Sequence, residues 1–188
     1  MKTPINQAIK TPKIENFNPK DKAELLRRNI CISRNVTFGN NVVIGDDVTI
    51  SQNVKIMDGV SICNGSTILN KMTIGNDTIT GRSVTINSGS SIGSNSSIGH
   101  GVKIGKAVTI GSNSVIETMV LIFDSVCIGN NCEISVGVKI WHNVKIGDDV
   151  KIAPKMTIPE GVKIESASVI NKNVKIPISR FRNPHRFK

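Results

Sequence analysis

From Ile32 onward the chain places a core residue, nearly always isoleucine, at every sixth position without a slip in register: Ile32, Phe38, Ile44, Ile50 and onward to Ile164 and Ile170. Only Phe38 and Thr80 depart from isoleucine in this register. Two residues before each of them stands a second small or apolar residue, such as Val48, Val54, Ser96 or Val150, with a variable residue between. Successive side chains of a strand alternate in direction, so each pair points inward around one outward residue. A corner follows, as in Gly45-Asp46-Asp47 or Gly129-Asn130-Asn131. Gly, Asn and Asp tolerate the left-handed backbone that such a corner demands. Three strands and three corners close a triangular coil. Residues 32 to 175 hold 24 hexads, or eight coils. Coils stacked at roughly 4.8 Å give a prism on the order of 38 Å long. No coil buries its apolar face alone, so stability arises between neighbours. The pattern predicts an all-β chain, a parallel β-helix of about eight triangular coils.

The ends break the period. Residues 1–30 read as a polar arm and a short capping helix, Asp21 to Arg28, acidic at its start and basic at its end. The β-helix takes residues 31–175, and a basic tail, 176–188, carries Arg180, Arg182, Arg186 and Lys188. No run of 18 apolar residues exists and Met1-Lys2-Thr3-Pro4 opens no apolar signal core, so the expectation is a soluble cytoplasmic protein without a membrane span. The formal net charge is +10, but the lysines are dispersed and base-stacking aromatics are scarce, which argues against a nucleic-acid partner. The four cysteines form no CxxC pair and read as reduced thiols, with Cys31, Cys63 and Cys127 pointing outward and Cys132 inward.

Residues 146–185 resemble the closing segment of the hexapeptide-repeat acyltransferases, such as the maltose and sugar acetyltransferases. Ile164, Ser168, Val169, Lys172 and Val174 match its I-G-A-G-S-V-V-T-K-D-V stretch, and the link then runs without a gap to Asn183-Pro184. The resemblance implies a left-handed coil and acetyl-CoA as co-substrate, with Ala153, Ser166, Ala167, Asn183 and Pro184 along the cofactor. Glu165-Ser166-Ala167 stands where the family has Gly-Ala-Gly, and Glu165 brings bulk and charge to that path.

The segment Val138 to Asp148, followed by Ile152-Ala153-Pro154, resembles the sialic acid O-acetyltransferase and bacillosamine-type N-acetyltransferase group. Its Ile140-Trp141-His142 string is also similar to the 3-amino-sugar N-acetyltransferases. The resemblance implies that His142 is a general base, taking a proton from a sugar amine or hydroxyl as it attacks the thioester. Imidazole chemistry suits that work near neutral pH. Asn143 replaces the family's acidic neighbour, which leaves Asp124 or Asp148 to orient the ring. The other reading of His142 is a solvated corner residue. His100 occupies the same hexad position as a second candidate, seven hexads earlier and on a different corner. A zinc site of the γ-class carbonic anhydrase kind needs three histidines on stacked coils, and only His185 remains, so no metal is expected.

Phe123, Trp141 and Pro159 are spaced 18 residues apart and stack on successive coils, with Leu121 beside them and Leu69 further down. An apolar ladder on a polar prism marks an interface or a ligand platform. The family resemblance implies a homotrimer with sites between prisms, and Trp141 beside His142 fits sugar stacking. No insertion interrupts the coils, which keeps a non-catalytic β-helical scaffold as the alternative. The row Thr49, Thr67 and Thr85 raises an ice-binding surface, but Lys103 and Leu121 break it. The sequence therefore reads as an acetyl-CoA-dependent acyltransferase acting on a sugar or similar small acceptor.

Overall fold

The computed structural model describes residues 18–173. The arm before them and the tail after them, with Asn183 and Pro184, lie outside the described residues. After one helix, α1 (Lys22–Arg27), the chain forms two-residue strands from β1 (Cys31–Ile32) to β24 (Val169–Ile170). Every third strand pairs in parallel, producing three eight-stranded sheets. The first sheet carries Ile32, Ile50 and their successors to Ile158, the second runs from Phe38 to Ile164, and the third from Ile44 to Ile170. Register is in step throughout: Ile50 lies opposite Ile32, Ile104 opposite Ile86, and Ile140 opposite Ile122. The fold is a parallel β-helix of about eight coils.

The corners explain how two-residue strands suffice. Every sixth residue from Asn29 to Ala167 has a positive φ. Most of these are Asn, Asp or Gly, which bear the left-handed conformation cheaply, while Lys71, Met119 and Lys155 adopt it at a cost of about 1–2 kcal/mol each. Side chains of the Ile series from Ile44 to Ile170 are buried, and the only non-apolar member of that series, Thr80, is fully buried too. On the inner side of the third sheet, Thr78, Ser96, Ser114 and Cys132 form a polar spine. Each donates to a carbonyl fifteen residues on (Gly93, Gly111, Gly129 and Gly147) at 2.9–3.1 Å. The first three also accept the backbone N–H of the next member. Inward hydroxyls are tolerated here because both of their bonding needs are met.

Thr80 is the exception. It sits in register between Ile62 and Ile98, and its Oγ1 is buried without a hydrogen-bond partner. A buried hydroxyl without a partner costs about 1–3 kcal/mol. Thr80→Val, close in shape, is therefore expected to raise stability by about 1–2 kcal/mol in urea unfolding.

At the N-terminal end Asp21 caps α1, accepting the Glu24 N–H at 3.1 Å. Arg28, 6% exposed, closes the first coil. Its guanidinium donates to Asp46 at 2.7 Å, to Glu24 at 3.2 Å and to the Ile44 carbonyl, and Leu25 packs on the core beneath.

All four cysteines are free thiols. Cys31 and Cys127 are exposed and Cys132 is buried. Cys63 corrects the outward expectation, since it is 3% exposed. It follows Ile62 at the place held by Gly45, Gly81 and Gly99 in neighbouring coils, where the chain enters a corner and is overlaid by the adjacent coil. Burial pushes its thiol up, with Arg82 pulling the other way, and burial pushes Cys132 up as well.

Candidate functional site

The three edges of the prism share one hydrogen-bonding rule. At many corners the residue two after the core position sends its backbone N–H along the axis, and the side chain at the same place one coil on accepts it. Asn40 N–H donates to Asp58 at 2.6 Å, Lys106 N–H to Asp124 at 2.7 Å, Asn130 N–H to Asp148 at 2.6 Å and Asp148 N–H to Ser166 at 3.0 Å. The preceding residue is usually glycine because the accepting side chain occupies the space of a Cβ. One built on Gly105 would stand 2.5 Å from Asp124 Oδ1, and one on Gly129 2.4 Å from Asp148 Oδ1.

Both candidate histidines obey this rule. Arg82 N–H donates to His100 Nδ1 at 2.8 Å, and Asp124 N–H donates to His142 Nδ1 at 3.2 Å. With Nδ1 accepting, the neutral ring keeps its proton on Nε2.

His142 lies on the corner between the first and second sheets, and its surroundings differ from those of His100. Phe123 and Trp141 stack with ring centroids 4.6 Å apart and planes 2° from parallel. Phe123 tilts against the imidazole at 5.1 Å, and Trp141 lies 6.3 Å from it. Trp141 is 40% exposed, so the stack offers aromatic surface beside an imidazole. Asn143 donates to Glu160 at 3.4 Å, and the His142 carbonyl accepts from Gly161. The His142 backbone N–H has no partner among the described residues.

The other candidates divide among the edges. Asp124 shares the His142 corner, but through its amide; its carboxylate turns to Lys106 N–H. Asp148 and Ser166 are bonded to each other on the next corner, where Ala167 holds φ 59°. Asp148 also accepts both Asn130 N–H groups, backbone and side-chain. Glu165 pairs with Lys163 at 2.8 Å. Ala153 lies on the third corner, beside Pro154 and Lys155, and His100 stands lower on that same edge. One chain thus brings together His142, Trp141, Phe123 and Asp124, and separates them from Asp148, Ser166, Ala167 and Ala153. Among the described residues no group of three or more His, Cys, Asp or Glu could hold a metal ion, and no helix is long and apolar enough to cross a membrane.

Sequence reasoning placed Phe123 under Trp141 but missed its contact with the His142 ring. The signal was present: Phe123 precedes His142 by the same 19 residues that separate Gly81 from His100.

The chain carries the repeat described as bacterial transferase hexapeptide (six repeats), matched over residues 32–70 and 83–118. No curated protein matches it by sequence. Among solved structures, the UDP-N-acetylglucosamine acyltransferase from Campylobacter jejuni is 26% identical, with a TM-score of 0.60 over 74% of this chain and 64% of that one. The corresponding enzyme of Bacteroides fragilis is 23% identical, with a TM-score of 0.57 over 74% of this chain and 68% of that one. The chain thus spans about two thirds of the length of these relatives. The fold is the left-handed parallel β-helix of these acyltransferases.

Proposed function

We propose that this hexapeptide-repeat protein is an acyltransferase that moves an acetyl group from acetyl-CoA to an amino or hydroxyl group of a sugar or similar small acceptor. The observation that carries the reading is the corner where a partly exposed, stacked Trp141 stands beside His142. A sugar ring presents an apolar face to such an indole and its hydroxyls or amine to the neighbouring imidazole. His142 is the general base. It takes the proton of the attacking N–H or O–H, the nucleophile adds to the thioester carbonyl, and CoA thiolate departs and recovers that proton. The His142 backbone N–H, without a partner among the described residues, would serve as a donor for the oxyanion of the tetrahedral intermediate. To accept a proton the ring must release the Asp124 amide, which frees Nδ1 or lets the proton shift there and leaves Nε2 as the base.

The division of candidates among three edges supports a homotrimer. In such an assembly the His142 corner of one prism faces another edge of its neighbour, and the CoA-binding groups come from the other two edges, Ser166 and Ala167 from one and Ala153 from the other. Asp148 reaches an imidazole only in this way. The uninterrupted coils favour the second reading, an assembly module without CoA affinity.

The test is acetyl transfer from acetyl-CoA to a panel of amino and hydroxy sugars, followed by mass spectrometry of the acceptor. Trp141→Ala is expected to raise the acceptor KM roughly tenfold with little change in kcat, the effect of losing about 1.4 kcal/mol of stacking shared by ground and transition states. Absence of transfer to every acceptor, with CoA unbound, leaves the assembly module.

A further inference from the structure

We infer that Phe123 is a positioning residue that loosens the backbone cap on His142 and so makes its imidazole available for proton transfer. The inference rests on the reading of His142 as the proton acceptor.

The cap lengths carry the argument. The comparison holds within one acceptor type, since hydroxyls over glycine stand at 3.0–3.1 Å (Ser166 over Gly147, Ser112 over Gly93). For amide and imidazole acceptors over glycine the bond is short: 2.8 Å for Asn130 over Gly111 and 2.8 Å for His100 over Gly81. Where a side chain stands beneath, the bond is longer. It is 3.2 Å for Asn70 over Ser51, 3.2 Å for Asn76 over Met57 and 3.2 Å for His142 over Phe123. The residue underneath therefore tunes how firmly the amide holds its acceptor. At His142 that residue is also locked, because Phe123 is stacked on Trp141 at 4.6 Å and cannot swing aside without breaking the stack. His100, over glycine, has its Nδ1 lone pair held by a short bond. His142 has a weak bond and a ring packed against its face at 5.1 Å. The two histidines share one place in the hexad, and the residue 19 positions earlier separates a structural imidazole from a reactive one.

The experiment reads tautomers, without CoA or acceptor, so its outcome is independent of whether the protein transfers acetyl. Long-range proton–nitrogen NMR at a pH where both rings are neutral is expected to show His100 only as the Nε2–H form and His142 with an Nδ1–H population. The Asp124 amide is expected to exchange with solvent roughly tenfold faster than that of Arg82. Phe123→Gly is expected to give His142 the His100 signature and to protect the Asp124 amide, whereas Phe123→Leu keeps the wild-type pattern. Identical signatures for the two histidines in the wild-type protein would overturn the inference whether or not the glycine variant folds. So would a folded Phe123→Gly protein with His142 unchanged.

Discussion

His142→Asn is expected to lower acetyl transfer by about 10²–10⁴-fold at saturating CoA and acceptor, the range that removal of a general base commonly costs. Asparagine is the informative replacement because the repeat already uses it in this place. Asn70 and Asn130 accept the amide one coil below them at 3.2 and 2.8 Å. His142→Asn therefore keeps the cap on Asp124 N–H while removing the proton acceptor, and its unfolding midpoint stays near that of the wild type. His142→Ala loses both functions. Its amide partner sits on a part-exposed corner where water replaces the bond, so the added cost in stability is about 1 kcal/mol. His100→Asn is the matched control, with transfer unchanged. Retained activity in His142→Asn would remove His142 from the chemistry; lost activity in His100→Asn as well would point to a structural effect common to both edges.

Gly111→Ala is expected to destabilise the prism by about 3 kcal/mol, the upper end of what overpacking costs. A Cβ there would stand 2.5 Å from the carbonyl carbon of Gly129, 2.6 Å from its oxygen and 2.7 Å from the Asn130 nitrogen. All three are backbone atoms of the next coil, so relief requires the stacking itself to open. Gly111 lies outside the left-handed region, and the penalty is contact rather than backbone strain. Gly89 has the opposite situation. Its φ is +77°, and the nearest atom to its Cβ position is 3.9 Å away. Gly89→Ala costs only the left-handed penalty of about 1 kcal/mol, a price Ala107 already carries one coil on at φ 53°. Comparing the two variants by urea unfolding separates crowding between coils from local conformation. Equal losses would refute the close stacking described for the corners.

Much of the architecture was legible because its period is rigid. An isoleucine every six residues leaves one way to bury the series, and Thr80 stood out in the sequence as the one polar member before the structure showed its hydroxyl unpartnered. The spacing of Phe123, Trp141 and Pro159 by one coil likewise placed the aromatic pair, and the rings stack as the register requires. Cys63 was misplaced because inward and outward were assigned from strand alternation alone. Cys63 stands just past a strand on the edge where Gly45, Gly81 and Gly99 are also buried, whereas Met57 and Trp141 at the equivalent places of the other edges are exposed. The ties of the histidines were hidden for a related reason. The sequence suggested a carboxylate for orienting His142, and the structure supplies the Asp124 backbone amide, a group every residue type carries and no motif reveals. Asp148 looked close in sequence to His142, yet six residues is a full corner of the triangle, and its carboxylate belongs to Asn130. The acceptor is not written in the repeat at all, since the hexads encode inward packing and corner geometry and leave the outer face free.

The central claim is that the prism binds acetyl-CoA to acetylate a small acceptor, and calorimetric titration of the full chain with acetyl-CoA tests it most directly. The account predicts micromolar binding for the wild-type protein and for His142→Asn alike, since the base does not hold the cofactor. No heat and no saturation at millimolar acetyl-CoA would contradict it and leave a β-helical assembly module.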